Sequence, residues 1–495
     1  MVKNIAHLTT TRPQIEAVRT IPAALAKKHQ VLPIKVVEQT LYLGMSDLTD
    51  VVAVDEIKLA TGYDICPIVV DLDQLTAEIA YYYGPLDVIA SSTDNNGRAH
   101  MAFPLLTVGD TSKLSTTDIV NSLFDQAIQQ RASDIHLEPT TDGGRVRFRI
   151  DGIIHVQANF DPQTFVAVIT SLKVAAGMDI AQRLAPQDGR MEINVSNQHF
   201  DVRLASLPTI KGEKLVMRLL NRATHVTDIE SLGLSPQVQN RLHHFLLESG
   251  GMLLVTGPTG CGKTTTLYAV LQLLNNTQQN IITIEDPVEY HIPGINQVQV
   301  NPKAGLTFAD GLRAILRQDP NIIMVGEIRD LETAEIAIRS ALTGHLVLST
   351  LHTKDAASAI TRLLDMGIEP FLLASAINGV ISQRLVRSVC PSCGQLYSPD
   401  NKEKMLLEQH DLVNAKFTAG QGCLLCHYTG YQGRIPIAET LTVTTEIQRL
   451  IYDRCVDEEI RRQAIREGMV PLFVDGLAKA AAGQTTIAEV IRAVG

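Results

Sequence analysis

The chain has 495 residues, 45% of them hydrophobic and 19% charged, a balance typical of folded globular proteins and too much chain for a single core, so two to four domains are expected. A net charge of −10 argues against a general nucleic-acid binder, whose phosphate contacts need a basic surface. The N-terminus lacks the apolar core of a signal peptide, and no window approaches the roughly 20 apolar residues that span a bilayer, so a cytoplasmic protein is expected.

The first patterned region, from about Ile15 to Gly84, mixes a helical piece, "AALAKKH", with a strand-like one, "TLYLGM". It reads as an α/β domain over residues 1–90. The polar, turn-rich "SSTDNNGRAH" follows and reads as part of a linker over 91–106. A small α+β domain is then expected over 107–225. It opens with Ile119, Leu123, Ala127 and Ile128 at helical spacing. In "RVRFRIDGIIHVQ" Val146, Phe148 and Ile150 alternate with Arg145, Arg147 and Arg149, and Asp151-Gly152 supplies a hairpin turn. "HFDVRLASL" and "KLVMRLL" give two more strands.

From 226 to the C-terminus the pattern changes. Four short apolar runs, "MLLVT", "IITIE", "IIMVG" and "LVLST", alternate with helical patterns, as in a mostly parallel sheet buried on both faces. In the tail, Gly468 is placed to stop one helix, and "TIAE" from Thr486 to Glu489 reads as a capping box.

"GPTGCGKTTT" follows the first of these runs and opens a helix, which is the setting a phosphate loop requires. Its glycines let backbone N–H groups turn onto a phosphate at a helix N-terminus. Lys263 is then expected on the β- and γ-phosphates of ATP, and the Thr264 hydroxyl on Mg²⁺. The nucleotide contacts are assigned to Gly257, Pro258, Thr259, Gly260, Cys261, Gly262, Lys263, Thr264 and Thr265, with Cys261 also readable as a small filler. Glu327, just past "IIMVG", is the candidate for polarising the attacking water. Glu285, Asp286 and Glu289 in "IEDPVEY" form a second acidic cluster after a sheet strand. Beyond Arg387 come Cys390-x2-Cys393 and Cys423-x2-Cys426, with 29 residues between the two pairs. Four thiolates in a chain without a secretion signal fit a closed structural Zn²⁺ site within an insertion at 388–434.

Four boxes in order make the chain resemble the secretion ATPases of type II secretion and type IV pilus assembly: "GPTGCGKTTTLY", "ITIEDPVEY", "PNIIMVGEIRD" and "TGHLVLSTLHT". "ASDIHLEP", "RFRIDG", "PQDGR" and "GEKLVMRLL" match the small domain of that family, and "GCLLCHYTGYQGR" its metal insertion. The resemblance implies a RecA-like motor domain preceded by a small PAS-like domain and an N-terminal docking domain. It implies a homo-hexamer, peripheral to the inner membrane, that drives a platform protein and contacts a cytoplasmic-membrane adaptor. Residues 1–90 would make the docking contact.

Carried over residue by residue, the resemblance makes Arg203 and Arg218 reach the nucleotide across an interface, and Glu289 assist Glu327 in catalysis. It sets Arg313, Arg317 and Arg329 around the phosphates and at a subunit contact, and makes His345 and His352 sensors of nucleotide state. Ordinary surface ion pairing remains open for Arg313. Lys354, Leu184 and Pro436 depart from the family pattern; none touches phosphate chemistry. A pilus retraction ATPase is the alternative, but it should lack the zinc insertion and N-terminal region. A DNA-translocating ring is the other, against which the acidic charge counts. Relatives that bind cyclic-di-GMP carry an Arg-Leu-Gly element absent here, so no such binding is expected.

Overall fold

In a computed structural model of the full chain, the described residues are 13–72 except 19, parts of 75–79, the pairs 92–93, 99–100 and 106–107, and 115–494 except 196–197, 222–227, 249 and 411–414. The expected linker at 91–106 lies largely outside them. The chain divides into two compact units, Met1–Ala223 with Gly422–Tyr428, and Thr224–Gln421 with Thr429–Gly495. The architecture is α/β. No described helix is long and apolar enough to cross a membrane.

The first unit begins with a three-stranded sheet of β1 (Val31–Val37), β2 (Thr40–Met45) and β3 (Asp64–Val69), closed over its own core by Ile34, Leu41, Leu43 and Ile57. Later in the unit come α1 (Thr116–Gln129), β4 (Ala132–Thr140), β5 (Gly143–Ile150), β6 (Ile153–Phe160) and α2 (Pro162–Ala175). They are followed by β7 (Gln187–Val195), β8 (Gln198–Thr209) and β9 (Gly212–Asn221). These strands form a seven-stranded sheet in the order β7-β8-β9-β4-β5-β6, with Leu106–Thr107 added at the β6 edge. The turn between β5 and β6 has Asp151 and Gly152 at φ 47° and 85°, the pair of positive angles a tight two-residue hairpin demands. One face is apolar: Val146, Phe148, Val202, Leu204, Leu215 and Met217 pack under Leu123 of α1 and Leu172 of α2. The opposite face keeps the charges.

The second unit is built on β10 (Gly251–Thr256), α3 (Lys263–Leu274), β11 (Ile281–Glu285), β12 (Asn296–Gln299), α4 (Phe308–Ile315), β13 (Ile322–Val325), α5 (Leu331–Leu342) and β14 (Leu346–Leu351). β15 (Ile377–Val389) and β18 (Tyr431–Thr442) complete it, with β16 (Gly394–Tyr397) and β17 (Phe417–Gly420) as a ribbon between them. The sheet order is β12-β11-β13-β14-β10-β15-β18, parallel except at β18. Met252 and Leu254 of β10 join one core while Leu253 and Val255 join the other. Both faces are thus consumed by packing, which leaves strand ends as the open positions.

Two of the three departures have local accounts. Pro436 sits on β18 opposite Leu385, and β18 is an edge strand, where the missing N–H of proline breaks no ladder bond. Lys354 pairs with Asp457 at 3.3 Å, and its carbonyl accepts from Arg384. Leu184 is fully exposed, and nothing in the structure explains it.

Candidate nucleotide site and cysteine cluster

The phosphate loop joins β10 to α3. Gly257, Gly260 and Gly262 have φ of 144°, 76° and 91°, angles that side chains other than glycine rarely adopt. At Gly257 a Cβ would lie 2.5 Å from both the Cys261 Sγ and the Gln383 carbonyl, so the loop folds tightly on itself. Pro258, Thr259, Gly260, Thr264 and Thr265 are exposed along the rim, while Cys261 is buried beneath them. Burial pushes the Cys261 thiol up, consistent with a neutral packing group rather than a reactive thiolate.

Lys263 is buried, and its Nζ donates to the carbonyls of Gly257 at 2.8 Å and Pro258 at 3.1 Å. Burial pulls its ammonium below the ordinary lysine range against the opposing pull of Glu327. The same Nζ lies 3.4 Å from His352 Nδ1, and His352 Nε2 lies 3.5 Å from Glu327 Oε2. Arg329 donates to the other Glu327 oxygen at 2.5 Å and stands 3.9 Å from Asp286. Burial tends to raise the Glu327 carboxyl, but the Arg329 hydrogen bond and charge, with His352, outweigh it and hold it below the usual range. Glu327 is therefore an anion near neutral pH, able to accept a proton or orient water. Lys263, His352, Glu327, Arg329 and Asp286 thus form one continuous series of polar contacts. All stand at the carboxyl ends of neighbouring parallel strands, the edge where open α/β sheets bind ligands.

Other expected residues fall differently. Glu285 is buried: its carboxylate accepts from Tyr268, from Thr283 at 2.6 Å and from Gln297 at 3.2 Å. Burial raises its carboxyl, and its bond to Tyr268 ties α3 to β11. Glu289 is exposed, and its backbone N–H donates to the Tyr268 hydroxyl at 3.3 Å. Arg313 pairs with Asp310 and Glu332, and Arg317 donates to the Arg313 carbonyl at 2.9 Å. Neither bonds into the Glu327 chain, so the surface-pair reading of Arg313 describes its contacts within one chain.

His345 stands apart from this group within the chain. It precedes β14, whereas His352 follows it. β10 and β14 run parallel, with Gly251 opposite Leu346 and Thr256 opposite Leu351. His345 therefore sits at the amino edge of the sheet, roughly 20 Å from the phosphate loop at 3.3 Å per residue. There its Nδ1 lies 3.0 Å from the Ser340 carbonyl. Sequence spacing places one histidine at each end of the six-residue strand and does not say which end lies beside the loop.

In the first unit, Arg203 and Arg218 are directly opposite across β8 and β9. The row extends to Arg190 on one side and to Asp134 and Arg149 on the other. Arg218 Nε donates to the buried Asp134 at 2.9 Å. Arg190 closes the "PQDGR" box, and its strand register adds it to the row.

The four cysteines are free of disulfides and buried, and their Sγ atoms lie within 4.8 Å of one another. Cys423 and Cys426 Sγ are 3.8 Å apart, the separation expected of two ligands at about 2.3 Å from a shared tetrahedral zinc. Cys390 directly follows β15, and Cys426 ends a short 3-10 turn, Leu424–Cys426. The donor set fits Zn²⁺.

Residues 110–492 match the Type II/IV secretion system protein family, and residues 4–89 match the MshEN domain. The type IV pilus assembly ATPase PilB of Thermus thermophilus is 42% identical over 95% of this chain. The chain spans about half of that protein, 54% of its length. Type II secretion system protein E of Xanthomonas campestris pv. campestris is 41% identical over 98% of this chain and 87% of its own length. Among solved structures, the pilus retraction motor PilT with bound ADP aligns at a TM-score of 0.51 and 28% identity, over 75% of this chain and 96% of its own. The ATPase DotB of Legionella pneumophila shares the fold at a TM-score of 0.58 and 21% identity, over 78% of this chain and 97% of its own. The chain therefore belongs to the Type II/IV secretion system protein family, the family of type II secretion and type IV pilus assembly ATPases.

Proposed function

We propose that the chain hydrolyses ATP to drive assembly of a pilin-like filament in type II secretion or type IV pilus biogenesis. It would work as a cytoplasmic homo-hexamer at the inner membrane, acting on a platform protein. The observation that carries this reading is the continuous contact from Lys263 through His352 to Glu327 at the carboxyl edge of the parallel sheet. ATP would replace the Gly257 and Pro258 carbonyls on Lys263 Nζ, the loop N–H groups would take the β-phosphate, and Thr264 would hold Mg²⁺. Mg²⁺ supplies charge neutralisation on the phosphates. Glu327 orients the attacking water and accepts its proton, while His352 relays the state of the phosphate end to Glu327.

Arg203 and Arg218 are read as clasping the nucleotide from the small domain. We divide the chain into a docking domain at 1–90, a linker at 91–106, a small domain at 107–225 and a RecA-like motor domain at 226–495. The cysteine cluster would hold a structural zinc that pins the insertion, and this favours secretion or pilus extension over retraction. Against cyclic-di-GMP binding stands one missing tripeptide. The MshEN match at 4–89 weighs the other way, and equilibrium binding of labelled cyclic-di-GMP to the full chain decides it. The central test is phosphate release. Glu327→Gln should retain nucleotide binding and lose turnover by about 10²- to 10³-fold; turnover equal to that of the parent would overturn the assignment.

A further inference from the structure

Gln383 belongs to none of the boxes that mark the nucleotide site, yet it touches both the phosphate loop and the helix that follows it. β10 and β15 run parallel with Thr256 opposite Ser382, which carries Gln383 alongside the first residue of the loop. Its side chain is buried. Nε2 donates to the Cys261 carbonyl at 2.9 Å, and Oε1 accepts from the Thr266 hydroxyl at 3.0 Å. A Cβ on Gly262 would lie 3.2 Å from the same Nε2. One amide therefore spans the end of the loop and the first turn of α3.

The consequence follows from peptide geometry. In a planar trans peptide the C=O and the following N–H point in opposite directions. A Cys261 carbonyl held on Gln383 directs the Gly262 N–H away from Gln383, towards the open side of the loop. A buried carbonyl left without a donor costs about 1–3 kcal/mol, so the bond fixes this orientation before any ligand arrives. We propose that Gln383 is a positioning residue for the nucleotide, setting the Cys261–Gly262 peptide so that its N–H is aimed at the bound phosphate. The proposal rests on the nucleotide reading above. Donors aimed in advance avoid a reorganisation cost on binding.

The test uses the full chain and fluorescent ADP. Gln383→Met keeps the volume and removes both bonds; Thr266→Val removes only the helix contact. The methionine variant should bind ADP about tenfold more weakly, with KM for ATP rising in parallel and kcat changing less than about threefold. The valine variant should bind within about twofold of the parent. Gln383→Glu adds a readout that packing cannot imitate, because only its protonated carboxyl can donate to Cys261. Its affinity should reach the parental value as pH falls. The proposal is overturned if the valine variant is as weak as the methionine one, or if the glutamate variant stays as weak at every pH. Should methionine prevent folding, the valine and glutamate variants still decide. Failure of the parent protein to bind ADP, with Lys263→Ala as control, would instead sink the nucleotide reading itself.

Discussion

The two seven-stranded sheets of this protein are covered differently. β8 alternates between buried and open positions along most of its length, whereas all six residues of β10 are buried. An antiparallel sheet with one face packed on helices leaves its other face for charge, and that face carries the row Arg190, Arg203, Arg218, Asp134 and Arg149. A parallel sheet packed on both faces has no such surface, so its polar chemistry gathers where the strands end. Charged side chains gather mid-strand in one unit and beyond the strand ends in the other.

Arginines directly opposite one another repel across a ladder. Asp134 relieves part of this within the row, accepting from Arg218 at 2.9 Å, and the phosphates of the proposed nucleotide would add to it. Arg203→Ala should therefore lower kcat by about 10³-fold, the scale of a lost arginine finger, while the urea midpoint moves little. Leu254→Ala on β10 should do the reverse, destabilising the second unit by about 2–5 kcal/mol with residual activity proportional to the folded fraction. If the arginine variant unfolds the protein and the leucine variant does not, the contrast between the sheets fails.

The cysteine cluster extends the comparison to the far end of β15. Cys390→Ser, or treatment with a chelator, should release one zinc per chain by elemental analysis and cost several kcal/mol in stability. A protein that purifies without zinc and is indifferent to the substitution would remove the metal from the account.

Acid sharpens the comparison within the second unit. Glu489 is buried, which by itself would raise its carboxyl, yet the Arg492 and Arg387 bonds hold it at about 2. A carboxyl depressed on folding contributes stability that is fully present above its unfolded value of 4.5 and is lost as pH falls from there towards about 2. The contribution is on the order of 3 kcal/mol. Glu489→Gln should flatten the acid limb of the stability curve over that window; an unchanged limb would show that other carboxylates govern it.

The smallest effect belongs to His345→Ala at the amino edge, expected to leave kcat within about twofold. His352→Ala, at the carboxyl edge, should lower it about tenfold or more. Equal losses would mean that the ends of β14 are not distinct, or that His345 meets a nucleotide through another subunit.

Several features were legible in the residues because their signals are local. The phosphate loop needs glycines at fixed offsets before a lysine. The turn at Asp151-Gly152 needs two positive φ angles. Thr307 caps α4 by accepting from the Asp310 N–H at 3.2 Å, and Thr486 accepts from the Glu489 N–H at 3.2 Å. The Thr486 motif also shows the limit of such reading, because the Glu489 carboxylate goes to Arg387 and Arg492 instead of returning to its own cap.

Sequence alone determined the kinds of group present: a glycine-rich loop of phosphate-cradle pattern, carboxylates just past sheet strands, and four thiols at metal spacing. Which groups converge was decided only by tertiary structure, because convergence depends on strand direction and register. Parallel pairing of β10 with β14 separates His345 from the loop and brings His352 to it. Antiparallel pairing of β7, β8 and β9 lines Arg190 up with Arg203 and Arg218. The burial of Glu285 and the approach of Gln383 to the Cys261 carbonyl arise likewise from neighbours 17 and 122 residues away, a separation over which no sequence periodicity carries information.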